Sequence, residues 1–321
     1  MKRFFTSAII CAGSLLLWNC NPDDDKTTKI VDRDRQEVFN ENIKEIETFL
    51  KTNSVEVLED GVNFETVASE ANNSIWKQTN YPLQSITVKN LPYFTGTNGL
   101  QKQNDAVEYK IYYLILNEGG GETPMIHDNT FTSYVGYNLD KSIFDKYQFG
   151  FWSSYPAYAN YTETIAGYRQ ILEKIKTATS IIDNGDGTYT YENPGRVLVF
   201  IPSGLAYFSS PPAGSTFGQY DPLIFDITLI TKKDADHDND GILDKYEDVN
   251  GNGDLWDDDT DGDGKPNFID VDDDGDGYTT REEITYIEVE NGEEVKKLYD
   301  FEDVPTCPGG SVKKHLDKSC H

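Results

Sequence analysis

Four copies of one acidic loop signature fall between Asp234 and Glu283, and they limit what this part of the chain can become. Asp236-x-Asp238-x-Asp240-Gly241-x5-Glu247 is the first, and Asp248-x-Asn250-x-Asn252-Gly253-x5-Asp259 follows it. Asp259-x-Asp261-x-Asp263-Gly264-x5-Asp270 is the third, and Asp272-x-Asp274-x-Asp276-Gly277-x5-Glu283 the fourth. Oxygen ligands at positions 1, 3, 5 and 12, with Gly at 6 for the sharp turn, suit a hard cation, and Ca2+ is the expected one. Starts at 236, 248, 259 and 272 leave no room for helices between the loops. The segment holds 20 acidic and 3 basic residues, which is 17 of the 28 excess negative charges of the chain. So acidic a stretch, with so few apolar residues, cannot offset its chain entropy and self-repulsion unaided. It reads either as a loop-rich cation-binding segment over 233–283 that folds only when loaded, or as a disordered polyacid.

The four loops in register resemble the thrombospondin type 3 calcium repeats. The resemblance implies loops stacked around Ca2+ with little other core, rather than a helix–loop–helix pair.

A second constraint lies upstream. Val197–Ile201 is a β-branched and aromatic run that Pro202 stops, and Leu223–Leu229 sets Leu, Phe and Ile against Asp226 and Thr228. Both are strand signals. The connection between them is rich in Pro, Ser and Gly but carries Tyr207, Phe208, Phe217 and Tyr220. That composition fits a hairpin whose aromatics fill a core, or an apolar recognition site on a rigid strand pair.

Ile201-Pro202-Ser203, Leu205-Ala206-Tyr207 and Pro222-Leu223-Ile224-Phe225-Asp226 resemble the closing half of the FKBP-type peptidyl-prolyl isomerases. Earlier in the chain, Tyr134-Val135-Gly136 with Phe144-Asp145 is similar to that family's first strand pair. Glu163-Thr164-Ile165-Ala166-Gly167-Tyr168 is similar to the lead-in to its single helix. The resemblance implies an α+β fold, an antiparallel sheet wrapped on a short helix, over 105–232. It also implies prolyl cis/trans isomerisation with no cofactor for catalysis, and Xaa-Pro-containing proteins as clients. Tyr134, Phe144, Tyr168 and Phe225 would line the proline cup. Ile165 would offer a backbone N–H and Tyr207 a hydroxyl to the substrate carbonyl, with Asp145 at the rim. Tyr168 stands where the family has Trp and would bring a hydroxyl to the cup floor. Thr164 replaces Val, and Phe208 replaces a Gly whose φ a bulky residue avoids, so the loop backbone is expected to differ. Phe149, Phe151 and Tyr155 are rivals for one further cup position. A non-catalytic FKBP-like binding or chaperone module on a calcium-stiffened stalk is the alternative, and calcium-dependent adhesion a third.

The remainder frames these two parts. Residues 1–19, with Lys2, Arg3 and an apolar run from Phe4 to Trp18, read as an export signal rather than a membrane span. Cys20 then resembles the lipidated residue of a bacterial lipoprotein, with 20–35 as a tether. An outer-membrane lipoprotein facing the periplasm or the cell surface follows, its membrane contact made through the lipid anchor. A formal charge of −28 argues against nucleic acid as a partner. Residues 36–104 comprise a helix at Gln36–Thr52, from Val38, Phe39, Ile43, Ile46, Phe49 and Leu50 at helical spacing, and a β-rich lead-in. Residues 284–321 comprise a hairpin around Asn291-Gly292 and a tail in which Cys307 and Cys320 are expected to pair. A zinc site using the nearby His315 and His321 is the other possibility there.

Overall fold

The computed structural model describes residues 32–95, 99–101, 105–158 and 160–321. The export signal and Cys20 lie outside the described residues. Asp34 caps the first helix, α1 (Arg35–Thr52), its carboxylate accepting from the Glu37 N–H at 2.8 Å. Among the described residues no helix is long and apolar enough to cross a membrane.

Strands β1 (Asn53–Leu58) and β2 (Gly61–Thr66) form a hairpin, followed by β3 (Gln84–Val88) and a short pair, β4 (Tyr93–Thr95) and β5 (Gly99–Gln101). Next come β6 (Tyr109–Asn117), β7 (Asn129–Asn138) and β8 (Ile143–Ser153), then helix α2 (Ala166–Ile171). A second hairpin, β9 (Ser180–Asp183) with β10 (Tyr189–Glu192), precedes β11 (Gly195–Ile201) and β12 (Leu223–Lys233). The main sheet has six strands in the order β3-β6-β11-β12-β7-β8, each pair antiparallel.

Both faces of this sheet are covered. Val197, Val199 and Ile201 of β11, with Leu223, Phe225, Ile227 and Leu229 of β12, pack under α2. The alternate residues Leu198, Phe200 and Ile224 pack with Ile46, Phe49 and Leu50 of α1. Burial on both sides explains why β11 reads as an unbroken apolar run. The half-buried Arg196, paired with buried Asp226 (Nη2–Oδ2 2.7 Å), also reaches the Leu58 and Gly61 carbonyls, fixing the β1–β2 turn to the second face. A boundary at 104/105 therefore does not divide the structure. β3 hydrogen-bonds to β6, α1 covers the same sheet, and the chain from Arg33 onward forms one compact unit.

The acidic segment carries short 3-10 turns at Asp244–Tyr246, Leu255–Asp257 and Asn267–Ile269 and one turn of helix, α3 (Thr280–Glu283). The hairpin β13 (Thr285–Glu290) with β14 (Glu293–Leu298) follows, and Cys307 and Cys320 are joined in a disulfide. With both sulfurs committed, the zinc alternative has no thiolate to use.

Candidate active site and cation loops

The register of the sheet assembles an aromatic cleft. Gly136 of β7 sits opposite Phe225 of β12 on one side and Asp145 of β8 on the other. A Cβ at Gly136 would meet the Phe144 ring at 2.4 Å, so glycine lets that ring lie over the strand. Phe144 then packs edge-on against Phe225 (5.3 Å between centroids) and Phe217 (5.0 Å). Helix α2 reaches the sheet because Gly167 is bare; a Cβ there would meet Ile201 Cγ2 at 2.5 Å. Its neighbour Tyr168 is buried and packs edge-on against Tyr134 (5.9 Å) and Phe225 (5.6 Å).

A cleft of about 500 Å³ opens above these rings. Of the expected residues, Tyr134, Ile165, Tyr168, Tyr207 and Phe225 line it. Phe144 and Asp145 stand one layer back. Phe144 supports Phe225, and exposed Asp145 accepts a hydrogen bond from the Tyr134 hydroxyl. Burial and that carboxylate both raise the Tyr134 pKa. Phe151 also lines the cleft, against Tyr134 (5.8 Å), and Tyr155 lines it from the loop after β8, whereas Phe149 is 92 % exposed and points away.

The two tyrosine hydroxyls differ. That of Tyr168 donates to Thr132 Oγ1 at 2.9 Å within the buried sheet, so the expected polar floor is already satisfied. That of Tyr207 has no hydrogen-bond partner among the described residues, its ring being held by stacking on Phe217 at 5.4 Å. The Ile165 N–H, just before α2, likewise makes no hydrogen bond among the described residues. The cleft thus offers a set of aromatic rings and two uncommitted donors, with Arg35, Asn90 and Glu163 also in its lining.

Phe208 corrects one expectation. It keeps a left-handed φ of 48° although it is not glycine, a conformation costing a non-glycine residue about 1–2 kcal/mol. Its ring is held between the Arg35 guanidinium (4.1 Å) and Tyr220 (5.0 Å). Its N–H donates to Ser203 (2.9 Å) and its carbonyl accepts from Tyr220 (2.7 Å). Behind the loop, buried Asn42 accepts from the Ser203 N–H and hydroxyl and donates to the Tyr220 carbonyl. Asn42 sits in the apolar stripe of α1 between Val38 and Ile46, and a polar residue at a core position is the signal that could have identified this anchor.

The acidic loops share one turn chemistry. The position-5 N–H donates to the position-3 side chain and the position-7 N–H to position 5, at 2.7–3.1 Å in all four loops. Carboxylate oxygens lie within 4.8 Å of one another in Asp236/Asp238/Asp240, Asp259/Asp261/Asp263 and Asp272/Asp274/Asp276. The second loop, with Asn250 and Asn252, instead directs both amides at Asp257. Many of these oxygens are buried without a hydrogen-bond partner among the described residues, on Asp236, Asp238, Asp240, Glu247, Asp272, Asp274 and Glu283 among others, while Asp276 Oδ2 lies 3.3 Å from His321 Nδ1. Burial, reinforced by neighbouring carboxylates, pushes Asp238 up to about 10, Asp240 to about 7 and Glu283 to about 8. In the third loop Lys265 lies 3.5 Å from Asp263 and 3.4 Å from Asp270.

The two regions meet at Tyr155. Besides lining the cleft, its ring packs with Leu255, Trp256 and Phe268 of the acidic segment. His127 is buried in the same cluster, 4.8 Å from Phe268, and burial pushes it down to about 3. His237, between two carboxylates of the first loop, places Nε2 2.9 Å from the Pro156 carbonyl and 3.0 Å from Ser154 Oγ, with Nδ1 on Asp244.

A family model described as BamM C-terminal matches residues 237–314, and no curated protein matches the chain. Among solved structures, a peptidyl-prolyl cis-trans isomerase from Pseudomonas syringae pv. tomato is similar at 24 % identity. It covers 38 % of this chain and 75 % of that one at a TM-score of 0.30. FkpA from Escherichia coli is 20 % identical over 44 % of this chain and 51 % of its own, at a TM-score of 0.29. The N-terminal domain of FKBP42 from Arabidopsis thaliana is 15 % identical over 45 % and 98 %, at 0.30. This chain thus spans about half the length of FkpA. At TM-scores this low, activity has to be judged from the cleft's own residues.

Proposed function

We propose that the protein is a peptidyl-prolyl cis/trans isomerase acting on exported proteins, and that its acidic loops bind Ca2+. The observation that carries the first part is the cleft itself, in which rings of Tyr134, Phe151, Tyr168 and Phe225 face the unused donors Ile165 N–H and Tyr207 O–H. Rotation about an Xaa-Pro bond must cross a barrier of roughly 18–20 kcal/mol and takes tens of seconds unaided. It needs neither nucleophile nor proton transfer. Rigid aromatic walls exclude water and seat the proline ring, while the two donors hold the flanking carbonyls as the amide loses resonance. Asp145 orients Tyr134 by accepting a hydrogen bond from its hydroxyl, which holds that ring at the edge of the cleft.

The unpartnered buried oxygens support the second part, since a hard cation satisfies several at once. Asp236, Asp238, Asp240 and Glu247 would hold Ca2+ in the first loop and Asp272, Asp274, Asp276 and Glu283 in the fourth. Asp248, Asn250, Asn252 and Asp259 carry less charge. In the third set, Asp259, Asp261, Asp263 and Asp270, the Lys265 ammonium competes. The first and fourth loops should therefore bind most tightly. Lipidation at Cys20 and an outer-membrane location, periplasmic or surface-facing, complete the proposal.

A proline-peptide isomerisation assay tests the activity. Accelerated exchange that Phe225→Ala abolishes supports the proposal, and peptide binding without acceleration favours the non-catalytic binding module. For the loops, a chelator should abolish the segment's protease resistance; resistance unchanged by chelation would count against calcium.

A further inference from the structure

Three carboxylates that the loop spacing does not group together meet in the interior of the acidic segment. Asp240 and Glu247 are positions 5 and 12 of the first loop. Asp273 belongs to the fourth, at a spacer position between Asp272 and Asp274. One carboxylate oxygen from each of Asp240, Glu247 and Asp273 lies within 4.8 Å of the others. The residues are 2 %, 3 % and 2 % exposed, so bulk water does not solvate them. Both oxygens of Glu247, both of Asp273 and Oδ2 of Asp240 lack a hydrogen-bond partner among the described residues. The Asp273 N–H is fixed on Thr280 Oγ1 at 3.2 Å, which sets the residue's place.

Charge adds to the geometry. Asp240 belongs to this trio and to the Asp236/Asp238/Asp240 group, so the two groups together hold five carboxylates and a formal charge of −5. A single divalent ion in the first loop would leave −3 in a buried site, and removing such charge from water is unfavourable unless it is compensated. A second ion leaves −1. We propose that a second Ca2+ binds between Asp240, Glu247 and Asp273, with the Asp240 carboxylate bridging it to the ion of the first loop. The three carboxylates can supply three to six of the six to eight oxygens that calcium takes, depending on how many bind through both oxygens.

This ion fastens the first loop to the fourth, and other contacts already bring them together. Ile242 packs with Ile284, and Arg281 donates to the Asn239 carbonyl at 3.1 Å. The repeats therefore close on themselves instead of running out as a linear stalk.

The inference rests on the loops binding calcium, and counting ions separates its failure from theirs. Native mass spectrometry of the calcium-loaded full chain should find one ion fewer in Asp273→Asn than in wild type. Asp261→Asn, whose carboxylate groups with Asp259 and Asp263, should lose at most the third loop's own ion and keep the spin-coupled pair that Mn2+ loading reveals. A wild-type count retained by Asp273→Asn overturns the inference alone; a wild type that holds no calcium overturns the loop reading with it. A measurement on the unmutated chain covers the case in which Asp273→Asn fails to fold. Loaded with Mn2+, it should give the electron paramagnetic resonance signal of a carboxylate-bridged, spin-coupled pair, and isolated-ion signals alone would overturn the inference.

Discussion

Two tyrosine hydroxyls in one cleft should respond in opposite ways to the same one-atom deletion. The Tyr207 hydroxyl has no partner within the described protein, so Tyr207→Phe removes nothing from the fold and should leave the denaturation midpoint unchanged. On the proposed mechanism, what it removes is a hydrogen bond to the substrate carbonyl. A net hydrogen bond contributes about 0.5–1.5 kcal/mol, and about 1.4 kcal/mol is a factor of ten, so kcat/KM should fall roughly two- to tenfold. The Tyr168 hydroxyl instead donates to Thr132 inside the sheet at 2.9 Å. Tyr168→Phe should lower stability by about 1 kcal/mol and leave kcat/KM within about twofold of wild type. Both quantities come from one protein preparation, by a proline-peptide isomerisation assay and a urea titration. A Tyr207→Phe protein as fast as wild type, or a Tyr168→Phe protein slowed but not destabilised, would refute the assignment of the substrate carbonyl to the Tyr207 side of the cleft.

Other perturbations test the surroundings of the cleft. Phe268 is fully buried against His127 and Trp256, so Phe268→Ala should cost about 3–5 kcal/mol. Hydrogen exchange in β7 and β12 should accelerate with it, whereas loosening of the acidic segment alone would mean the two regions unfold separately. His127 is held neutral by burial with its pKa down at about 3, below the unfolded value, so its contribution to stability is complete above pH 6.5 and declines as pH falls toward 3. Between pH 6.5 and 4.5 wild type should lose about 2–3 kcal/mol more than His127→Gln, measured by urea titration at each pH. Buried Arg169 donates to the Ile126 carbonyl and Thr130 Oγ1, each at 2.6 Å, and to the Asp128 carbonyl. Arg169→Met should strand those acceptors and cost about 3 kcal/mol or more in the same titration.

The aromatic lining of the cleft was legible in the sequence where short motifs fix geometry. Gly136 pairs with Asp145, with Phe144 at a register slip beside them, and Ile165 and Tyr168 flank the start of one helix. The choice among Phe149, Phe151 and Tyr155 was not legible. Strand alternation would put Phe149 and Phe151 on one face, but Gly150 takes a φ of 77° and the β7–β8 register slips between Thr132 and Tyr134. That irregularity turns Phe149 outward and Phe151 into the cleft. The role of α1 was hidden for a different reason. Its apolar stripe is evident, but nothing local says that it covers strands whose residues lie more than sixty positions onward. Asp273 was hidden by the repeat itself, because a residue between two ligand positions reads as a spacer. Phe208 shows a limit of propensity, since packing against Arg35 and Tyr220 holds a backbone conformation that its side chain disfavours.

The placement of Tyr155 makes the acidic segment the backing of one side of the cleft. Its ring faces the cleft on one side and Trp256 on the other (5.9 Å), and the flanking Ser154 and Pro156 are held by His237 of the first loop. His237 lies between Asp236 and Asp238, half-buried ligand positions of the first loop whose crowded carboxylates a cation would hold together. Chelation should therefore release His237 and Phe268 together and leave Tyr155 without its backing. Peptide affinity should fall, while rings held by the sheet and α2, Tyr134, Tyr168 and Phe225, stay in place. The expected kinetic signature is a rise in KM larger than the fall in kcat, restored by added Ca2+. Identical KM with and without chelator, in a protein whose loops have demonstrably lost their ions, would mean that the wall stands on the sheet alone.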